Sequence, residues 1–244
     1  MILDRVTITG ADDSVSWAKL DDLSKEFPFV EWGILLSERN TGSPRFPSIP
    51  WLREALPELT RNRRQLSGHL CGRWVRDLLN GDPIFPKKYP QTWASFSRVQ
   101  LNFHAEPSRA KAGFFELLRL WPRKDFIFQL DGVNHGIFEV ALADPVISAF
   151  PLYDTSGGAG LLPGAWPIHG YADPDNPEWL LYCGYAGGLG PDNLEEQLRR
   201  IEDACSPGSR VWIDMERRVR SDDDSVLDLS KVRRVLEIAS KVVA

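Results

Sequence analysis

The motif YDTSGGAG contains a residue that could move a proton. Asp154 follows the apolar residues Leu152 and Tyr153 and precedes a Thr-Ser-Gly-Gly run. If these neighbours bury its carboxyl group, the acid form is favoured and Asp154 can donate a proton near neutral pH. An aspartate before serine and glycine also suits a turn in which the carboxylate accepts backbone hydrogen bonds. The sequence leaves both interpretations open.

Two further motifs contain residues suited to a phosphate group. Gly187 and Gly188, in AGGLGPDN, would let the backbone approach a phosphate closely. Glu216 precedes Arg217 and Arg218, whose guanidinium groups could bind phosphate. The Glu216 carboxylate would repel a phosphate unless it points elsewhere, and a surface salt bridge explains this residue equally well.

Other polar residues end or follow apolar runs, and together they predict a polar ligand site. They are His69, Cys71, His104, Asp131 and Asp214. No HxH or HExxH spacing links the histidines, which disfavours a metal site. We interpret these residues as structural or substrate-contacting polar groups, and we expect neither a metal nor a cofactor.

Composition places the chain among globular proteins that bind small molecules. Hydrophobic residues make up 43% of the 244 residues, and the net charge is -5 with no long run of Lys and Arg, which disfavours nucleic-acid binding. The first residues lack a secretory pattern, and no stretch approaches the ~20 apolar residues of a membrane span. The three cysteines are odd in number and form no CxxC pair, so we expect a cytoplasmic protein without disulfides, as a monomer or homodimer.

The chain alternates short apolar runs with amphipathic stretches, a pattern typical of buried parallel strands separated by helices. We predict eight strands: Arg5 to Thr9, Val30 to Leu36, Gln65 to Leu70, Arg98 to Asn102, Phe126 to Leu130, Ile147 to Tyr153, Trp179 to Gly184 and Arg210 to Met215. The clearest helices are Leu194 to Ala204 and Leu229 to Val243, whose apolar residues recur at helical spacing. The prediction is one domain, residues 1–244, folded as a (β/α)₈ barrel, with loop insertions near 82–96 and 161–177.

Several phrases at the predicted strand ends occur in the order found in one known family. They are VTITG at 6–10, WGILLS at 32–37 with SPRF at 43–46, VQLN at 99–102, YDTSGGAG at 153–160, AGGLGPDN at 186–193, and WIDMERRV at 212–219 with LDLSKV at 227–232. In this order they resemble the phosphoribosylanthranilate isomerase family, a tryptophan-biosynthesis barrel. That family opens a phosphorylated aminosugar ring and moves a proton between neighbouring carbons, which needs a general acid and a general base.

The resemblance implies roles for individual residues. Asp154 matches the general acid, and Arg45 matches the arginine that recognises the substrate carboxylate, for which a planar guanidinium is suited. A surface arginine after proline is an equally good reading of Arg45. Gly187 and Gly188, together with Gly158 in the preceding glycine loop, match backbone that contacts the ligand.

The sequence also departs from the family at three places. Thr9 stands where the family has its basic cysteine, and a hydroxyl is too weak an acid to replace it. Asn102 stands where a histidine is expected, so it can hydrogen-bond a substrate without exchanging protons. Glu216 and Arg217 replace the small residues of the phosphate loop. Because strand eight adjoins strand one in a closed barrel, Glu216 could supply the base that Thr9 cannot, facing Asp154.

These observations predict an acid/base isomerase of the phosphoribosylanthranilate isomerase type, an aldose–ketose isomerase acting on a small anionic, phosphorylated ligand. Two alternatives stay open. The barrel could have lost catalysis and act as a binding or regulatory protein, because fold similarity does not secure function. It could also be a lyase or hydrolase that uses Asp131, Asp154 and Glu216 as its carboxylates.

Overall fold

The structure is a computed structural model that describes residues 1–104, 110–154, 157–173 and 180–243. Its eight strands pair in sequence order, and each pair is parallel. The last strand pairs with the first, in a register that sets Thr7 opposite Asp214, and this closes the sheet. The predicted (β/α)₈ barrel is therefore confirmed.

The helices surround the barrel in the order expected for this fold. In chain order the elements are β1 Ile2–Thr9, α1 Trp17–Glu26, β2 Val30–Leu36, α2 Ile49–Arg61, β3 Gln65–Cys71, α3 Arg73–Leu79, α4 Ile84–Lys88, α5 Pro90–Ala94, β4 Arg98–Asn102, α6 Ala112–Arg119, β5 Asp125–Leu130, α7 His135–Leu142, β6 Ser148–Tyr153, β7 Cys183–Ala186, α8 Leu194–Ala204, β8 Arg210–Met215 and α9 Leu229–Ala239. A short 3₁₀ turn, Arg217–Val219, follows β8. No helix in the described ranges is long and apolar enough to cross a membrane.

Successive side chains along a strand point alternately outwards, to a hydrophobic core shared with the helices, and inwards, to the interior of the barrel. On β1, Val6 and Ile8 join the large hydrophobic cluster that includes the helices, whereas Thr7 and Thr9 point inwards to polar partners. Two helices, α2 and α9, begin with a side chain that caps the first turn. For example, the Asp228 side chain accepts hydrogen bonds from the first backbone N–H groups of α9.

The lower part of the interior, which we call the floor, consists of Arg5, Glu31, Arg98 and Trp212. Glu31 is fully buried, and its carboxylate receives hydrogen bonds from both arginines, including Arg98 at 2.7 Å. The Arg98 guanidinium lies 4.3 Å from the Trp212 ring centroid. A buried carboxylate is costly unless it is paired in this way. Gly184 leaves room for Trp212, because a Cβ atom at Gly184 would lie 2.2 Å from that ring.

The described elements differ from the sequence-based expectation in a few segments. The seventh strand begins at Cys183, after the predicted start at Trp179, which lies outside the described residues. Helix α9 ends at Ala239, before the predicted Val243. The segment 82–96 contains α4 and α5. In the described part of 161–177, no helix occurs between β6 and β7.

Candidate active site at the carboxyl ends of the strands

A cavity of about 340 Å³ lies at the carboxyl ends of the strands, above the floor. On the four strands that carry floor residues, the cavity residues follow them in sequence. Thr9 follows Arg5, for example, and Asp214 follows Trp212. The predicted site residues that line it are Thr9, Asn102, Asp131, Asp154, Gly158, Gly187, Gly188, Glu216 and Arg217. The structure therefore brings together nearly all of the residues chosen from sequence.

Asp214 is the acidic residue whose role sequence reasoning missed. It lies on β8, is 6% exposed and lines the cavity. The Thr9 hydroxyl donates a hydrogen bond to its Oδ1 atom at 2.7 Å. Burial raises the pKa of Asp214 to about 8; the Thr9 hydrogen bond opposes this rise, and the nearby charges of Glu216, Glu31 and Asp154 add to it. Asp214 is therefore a carboxylic acid that keeps its proton near neutral pH.

A signal for Asp214 was present in the sequence. Trp212, Asp214 and Glu216 alternate along the last strand, so they share one face. That this face is the interior, and that Thr9 lies beside it, follows only from the closure of β8 on β1.

Asp154 is held in place by a neighbour on β5 and by the glycine loop that follows it. Its Oδ2 atom accepts a hydrogen bond from Gln129 Nε2 at 2.7 Å and another from the Gly158 backbone N–H at 2.8 Å. Gly158 has a φ of 86°, in the region that favours glycine. Asp154 thus orders the glycine loop, as the turn interpretation predicts, and it also lines the cavity; its role as an acid stays a prediction.

Glu216 and Arg45, which sequence assigned to separate tasks, contact each other. Arg45 Nη1 donates to Glu216 Oε1 at 2.8 Å, and its Nη2 atom pairs with Asp224. Arg45 has a left-handed backbone, with φ of 73°, and its backbone N–H donates to Asp12. Among the described residues that line the cavity, Arg45 is absent. Its guanidinium neutralises two carboxylates of the protein, so it is engaged within the chain instead of facing the carboxylate of a ligand.

Two arginines at the rim are exposed cations. Arg217 and Arg218 both line the cavity, and neither forms an ion pair with any residue in the described ranges. Gly190 lets Arg218 lie close, since a Cβ atom there would be 2.4 Å from the Arg218 Cβ. The neighbouring loop carries Gly187 and Gly188 at φ of 117° and 66°. The rim therefore offers positive charge beside a glycine loop, which suits an anion.

The remaining polar residues of the cavity are hydrogen-bonding groups. Burial lowers the pKa of His69 to about 4, so its imidazole is neutral at neutral pH. Burial likewise raises the pKa of the Cys71 thiol to about 12, which excludes a thiolate nucleophile. Asn102 donates to Cys71 Sγ at 3.4 Å and accepts from Gln100 at 2.9 Å. Asp131 contacts His104 at the rim.

A metal centre finds no support in the arrangement of possible ligands. Across the part of the chain that the structure describes, no group of three or more His, Cys, Asp and Glu side chains is placed to hold an ion. His104 and Asp131, two of the residues considered as ligands, contact each other at the rim. The site offers carboxyl groups, a neutral imidazole, amides and two guanidinium groups.

Comparison with known proteins identifies the fold. A truncated 3-deoxy-D-arabino-heptulosonate 7-phosphate synthase from Thermotoga maritima matches with a TM-score of 0.53 at 9% identity, over 98% of this chain and 86% of that one. The 3-hexulose-6-phosphate synthase of Salmonella typhimurium matches at 0.46 and 9% identity, over 97% and 99% of the two chains. Endonuclease IV from Thermus thermophilus matches at 0.47 and 15% identity, also over 97% and 99%.

None of these three is a phosphoribosylanthranilate isomerase. No family model matches the chain, and no curated protein matches it in sequence. The narrower family resemblance seen in the strand-end phrases therefore stays a proposal. At these identities a structural match shows architecture alone. On that ground the chain is similar to TIM-barrel enzymes in fold, and it is itself a closed (β/α)₈ barrel.

Proposed function

We propose that this barrel is an acid/base enzyme that isomerises a small, phosphorylated, sugar-like ligand in the cavity above the floor. One observation carries the proposal. The cavity holds a protonated carboxylic acid, Asp214, together with a second buried carboxyl, Asp154, and two exposed arginines at its rim. Aldose–ketose isomerisation needs a proton donor, a proton acceptor and an anchor for the phosphate.

The two carboxyl groups suit opposite roles. Asp214 carries a proton at neutral pH because burial raises its pKa, so it can protonate the oxygen that leaves when a sugar ring opens. Asp154 Oδ2 accepts two N–H groups, which hold this carboxyl group in a fixed orientation at the cavity. We therefore assign the acid role to Asp214, and we assign to Asp154 the removal of a proton from carbon.

Glu216 receives a smaller role in this proposal than the sequence suggested. Its Oε1 atom accepts a hydrogen bond from Arg45, so this oxygen is already engaged within the protein. Its negative charge also contributes to the raised pKa of Asp214. We infer that Glu216 supports the proton on Asp214 and contacts the ligand.

Arg217 and Arg218 are proposed to bind the phosphate group, with the backbone of Gly187 and Gly188 beside them. These loops follow β7 and β8, which is the usual phosphate position in this fold. The order of the strand-end phrases favours an aminosugar phosphate rearranged by the Amadori route, as in the phosphoribosylanthranilate isomerase family. Thr9, in place of a basic cysteine, means that the base must be a different residue, and Asp154 meets that need.

Turnover in heavy water tests this function. Freshly generated phosphoribosylanthranilate, ribose 5-phosphate and glucose 6-phosphate are incubated with the protein in D₂O, with anthranilate fluorescence and proton NMR as readouts. We expect loss of fluorescence, or exchange of the carbon-bound hydrogen beside the carbonyl. Asp214→Asn and Asp154→Asn should each abolish both signals. Glu195→Gln, which changes an exposed residue on α8, should leave them unchanged. If no sugar phosphate reacts at high enzyme concentration, the proposal is wrong.

A second candidate function has one specific observation in its favour. Asp131, Asp154 and Glu216 all line the same cavity, as a hydrolase or lyase built on paired carboxylates would require. In the same assay such an enzyme would release a fragment of the ligand and leave the remaining carbon-bound hydrogens unexchanged. If a sugar phosphate binds but neither hydrogen exchange nor release of a fragment follows, the barrel is a binding protein without catalytic activity.

A further inference from the structure

A histidine and an aspartate form a preorganised pair on the side of the mouth opposite Asp214. His104 follows β4 and Asp131 follows β5, whereas Asp214 lies on β8. His104 Nδ1 contacts Asp131 Oδ2, and both residues line the cavity. The Asp131 side chain is 6% exposed and that of His104 is 69% exposed. A buried carboxylate therefore holds one nitrogen of an imidazole whose remaining edge is open.

The loops that carry this pair are tied together by one buried side chain. Asn134 is fully buried, and its Nδ2 atom donates to the carbonyl oxygen of Phe103 at 3.2 Å. Its Oδ1 atom accepts the Asp131 backbone N–H at 3.3 Å. Asp131 Oδ1 accepts a further hydrogen bond from the Val133 N–H at 3.0 Å. Hydrogen bonds thus hold the backbone of Phe103, beside His104, and both the backbone and the side chain of Asp131. The two loops therefore fix the position of the pair.

This arrangement has a defined chemical consequence. A carboxylate that accepts from Nδ1–H selects that tautomer, so the lone pair stays on Nε2. A histidine held in this way is a general base, as in nucleophile–histidine–aspartate sites. The base here lies across the barrel from Asp214, and so it can meet another part of the same ligand.

We propose that His104, oriented by Asp131, takes the hydroxyl proton of the ligand during isomerisation; this inference rests on the proposed function. Asp214 first protonates the ring oxygen as the ring C–O bond breaks, and the lone pair of the ligand nitrogen forms a C=N bond. Asp154 then takes the proton from the adjacent carbon; the electrons of that C–H bond form a carbon–carbon double bond, those of the C=N bond return to nitrogen, and an enol results. His104 Nε2 then gains the enol proton as the O–H bond breaks, and the carbonyl double bond forms. The electrons of the carbon–carbon double bond take the proton back from Asp154 at the adjacent carbon. The imidazolium returns its proton to water at its exposed edge, Asp214 regains a proton from water after product release, and all three groups are restored.

Chemical rescue distinguishes catalysis from a structural contact. With phosphoribosylanthranilate as substrate, His104→Gly should lower kcat by about a hundredfold, and added imidazole should restore part of it in proportion to its concentration. Asp131→Asn should lower kcat with little change in KM, and Asp131→Glu should recover part of the loss. His135→Gln, at a neighbouring histidine outside the cavity, is the matched control. An unchanged kcat in His104→Gly, or a loss that imidazole does not restore, overturns the proposal.

A second measurement needs no substrate. Long-range proton–nitrogen NMR of labelled protein reads the tautomer of each histidine, and diethyl pyrocarbonate with peptide mapping reads the reactivity of Nε2. We expect the Nδ1–H tautomer for His104, with a several-fold slower modification in Asp131→Asn. An identical tautomer and rate in that variant would overturn the orienting role of Asp131. If no sugar phosphate is turned over but the tautomer and the modification rates are as expected, the proposed function is rejected, whereas the orientation of His104 by Asp131 is supported.

Discussion

The hydroxyl group of Thr9 donates a hydrogen bond to Asp214 Oδ1 at 2.7 Å, across the seam where β8 pairs with β1. This bond forms between residues 205 positions apart in the chain. It lowers the pKa of Asp214, while burial and the neighbouring carboxylates raise it to about 8. Thr9 thus adjusts the acidity of the group that we propose as the proton donor.

Removal of the Thr9 hydroxyl should shift the pH dependence of turnover. Thr9→Val removes the hydrogen bond that lowers the pKa of Asp214, so the acid form persists to higher pH. We expect the alkaline limb of the kcat profile to move to higher pH, whereas Thr9→Ser keeps the wild-type position. Superimposable profiles for the valine and serine variants would contradict this account.

Asp214→Asn should stabilise the fold more at alkaline pH than at acidic pH. The folded pKa of about 8 lies above the ordinary value of 3.8, so the unfolded chain releases this proton first as the pH rises. The wild-type protein therefore loses stability between those two values, and an uncharged asparagine does not. The measurement is the urea midpoint of both proteins from about pH 5 to pH 8.

The control for that comparison is Asp22→Asn, at an aspartate whose side chain is 74% exposed. Its midpoint should stay parallel to that of the wild-type protein. A gap between Asp214→Asn and wild type that is constant with pH would show that Asp214 is ionised in the folded state.

His69→Gln should reduce the acid sensitivity of the fold. The folded pKa of about 4 is below the ordinary 6.5, so protonation of the unfolded chain removes stability as the pH falls through this window. The loss reaches about 2 kcal/mol for a fall of about 1.5 pH units. Urea titrations of variant and wild type near pH 7 and pH 5 isolate this effect from that of Asp214. Equal losses in both proteins would show that His69 is accessible to protons.

Neutralisation of the rim arginines should weaken binding of phosphorylated ligands. Charged hydrogen bonds contribute about 1.5–3 kcal/mol each, so Arg217→Gln and Arg218→Gln should each raise KM or Kd about tenfold to a hundredfold. Isothermal titration with the sugar phosphate at two salt concentrations measures the effect. Arg199→Gln, at a 71% exposed arginine on α8, is the control. Unchanged affinity in the double variant would place the phosphate elsewhere.

Gly184→Ala should destabilise the barrel from within. A Cβ atom at this position would lie 2.2 Å from the Trp212 ring and 2.6 Å from Leu152, so the interior must shift, at a cost of about 1–3 kcal/mol. The urea midpoint and the near-ultraviolet circular dichroism of the tryptophans report this change. Gly170→Ala, where the added atom meets nothing within 4 Å, should be neutral. An unchanged midpoint for Gly184→Ala would show that the interior is less closely packed than described.

The fold could be predicted from sequence because buried parallel strands leave a strong local signal. Runs such as Val30–Leu36 are buried along their whole length, and they contain almost no polar residue. The seventh strand was harder to place because β7 has only four residues, Cys183–Ala186, with Gly184 in the middle. Gly184 packs against the Trp212 ring, a contact between distant positions in the chain that no local pattern records.

The site could be predicted only in part. Strand-end position was enough to find Asp154 and the rim glycines, because the carboxyl ends of all strands meet at one mouth. The sequence does not show in the same way which side chains contact each other. The contact between Arg45 and Glu216 and the burial of Asp214 both depend on which loops meet in three dimensions. The pKa of Asp214 and the neutralisation of the Glu216 charge by Arg45 result from those contacts. Residue type alone therefore could not predict them.

The charged floor of the barrel has a consequence for how the whole interior titrates. Glu31 acts on the pKa of Asp214 and of His69, and Arg98 acts on His69 as well. The charges at the floor therefore influence which groups at the mouth hold a proton. In this fold the lower half of the barrel usually contributes to stability. Here the floor residues also help to set the pKa values of the groups that line the cavity.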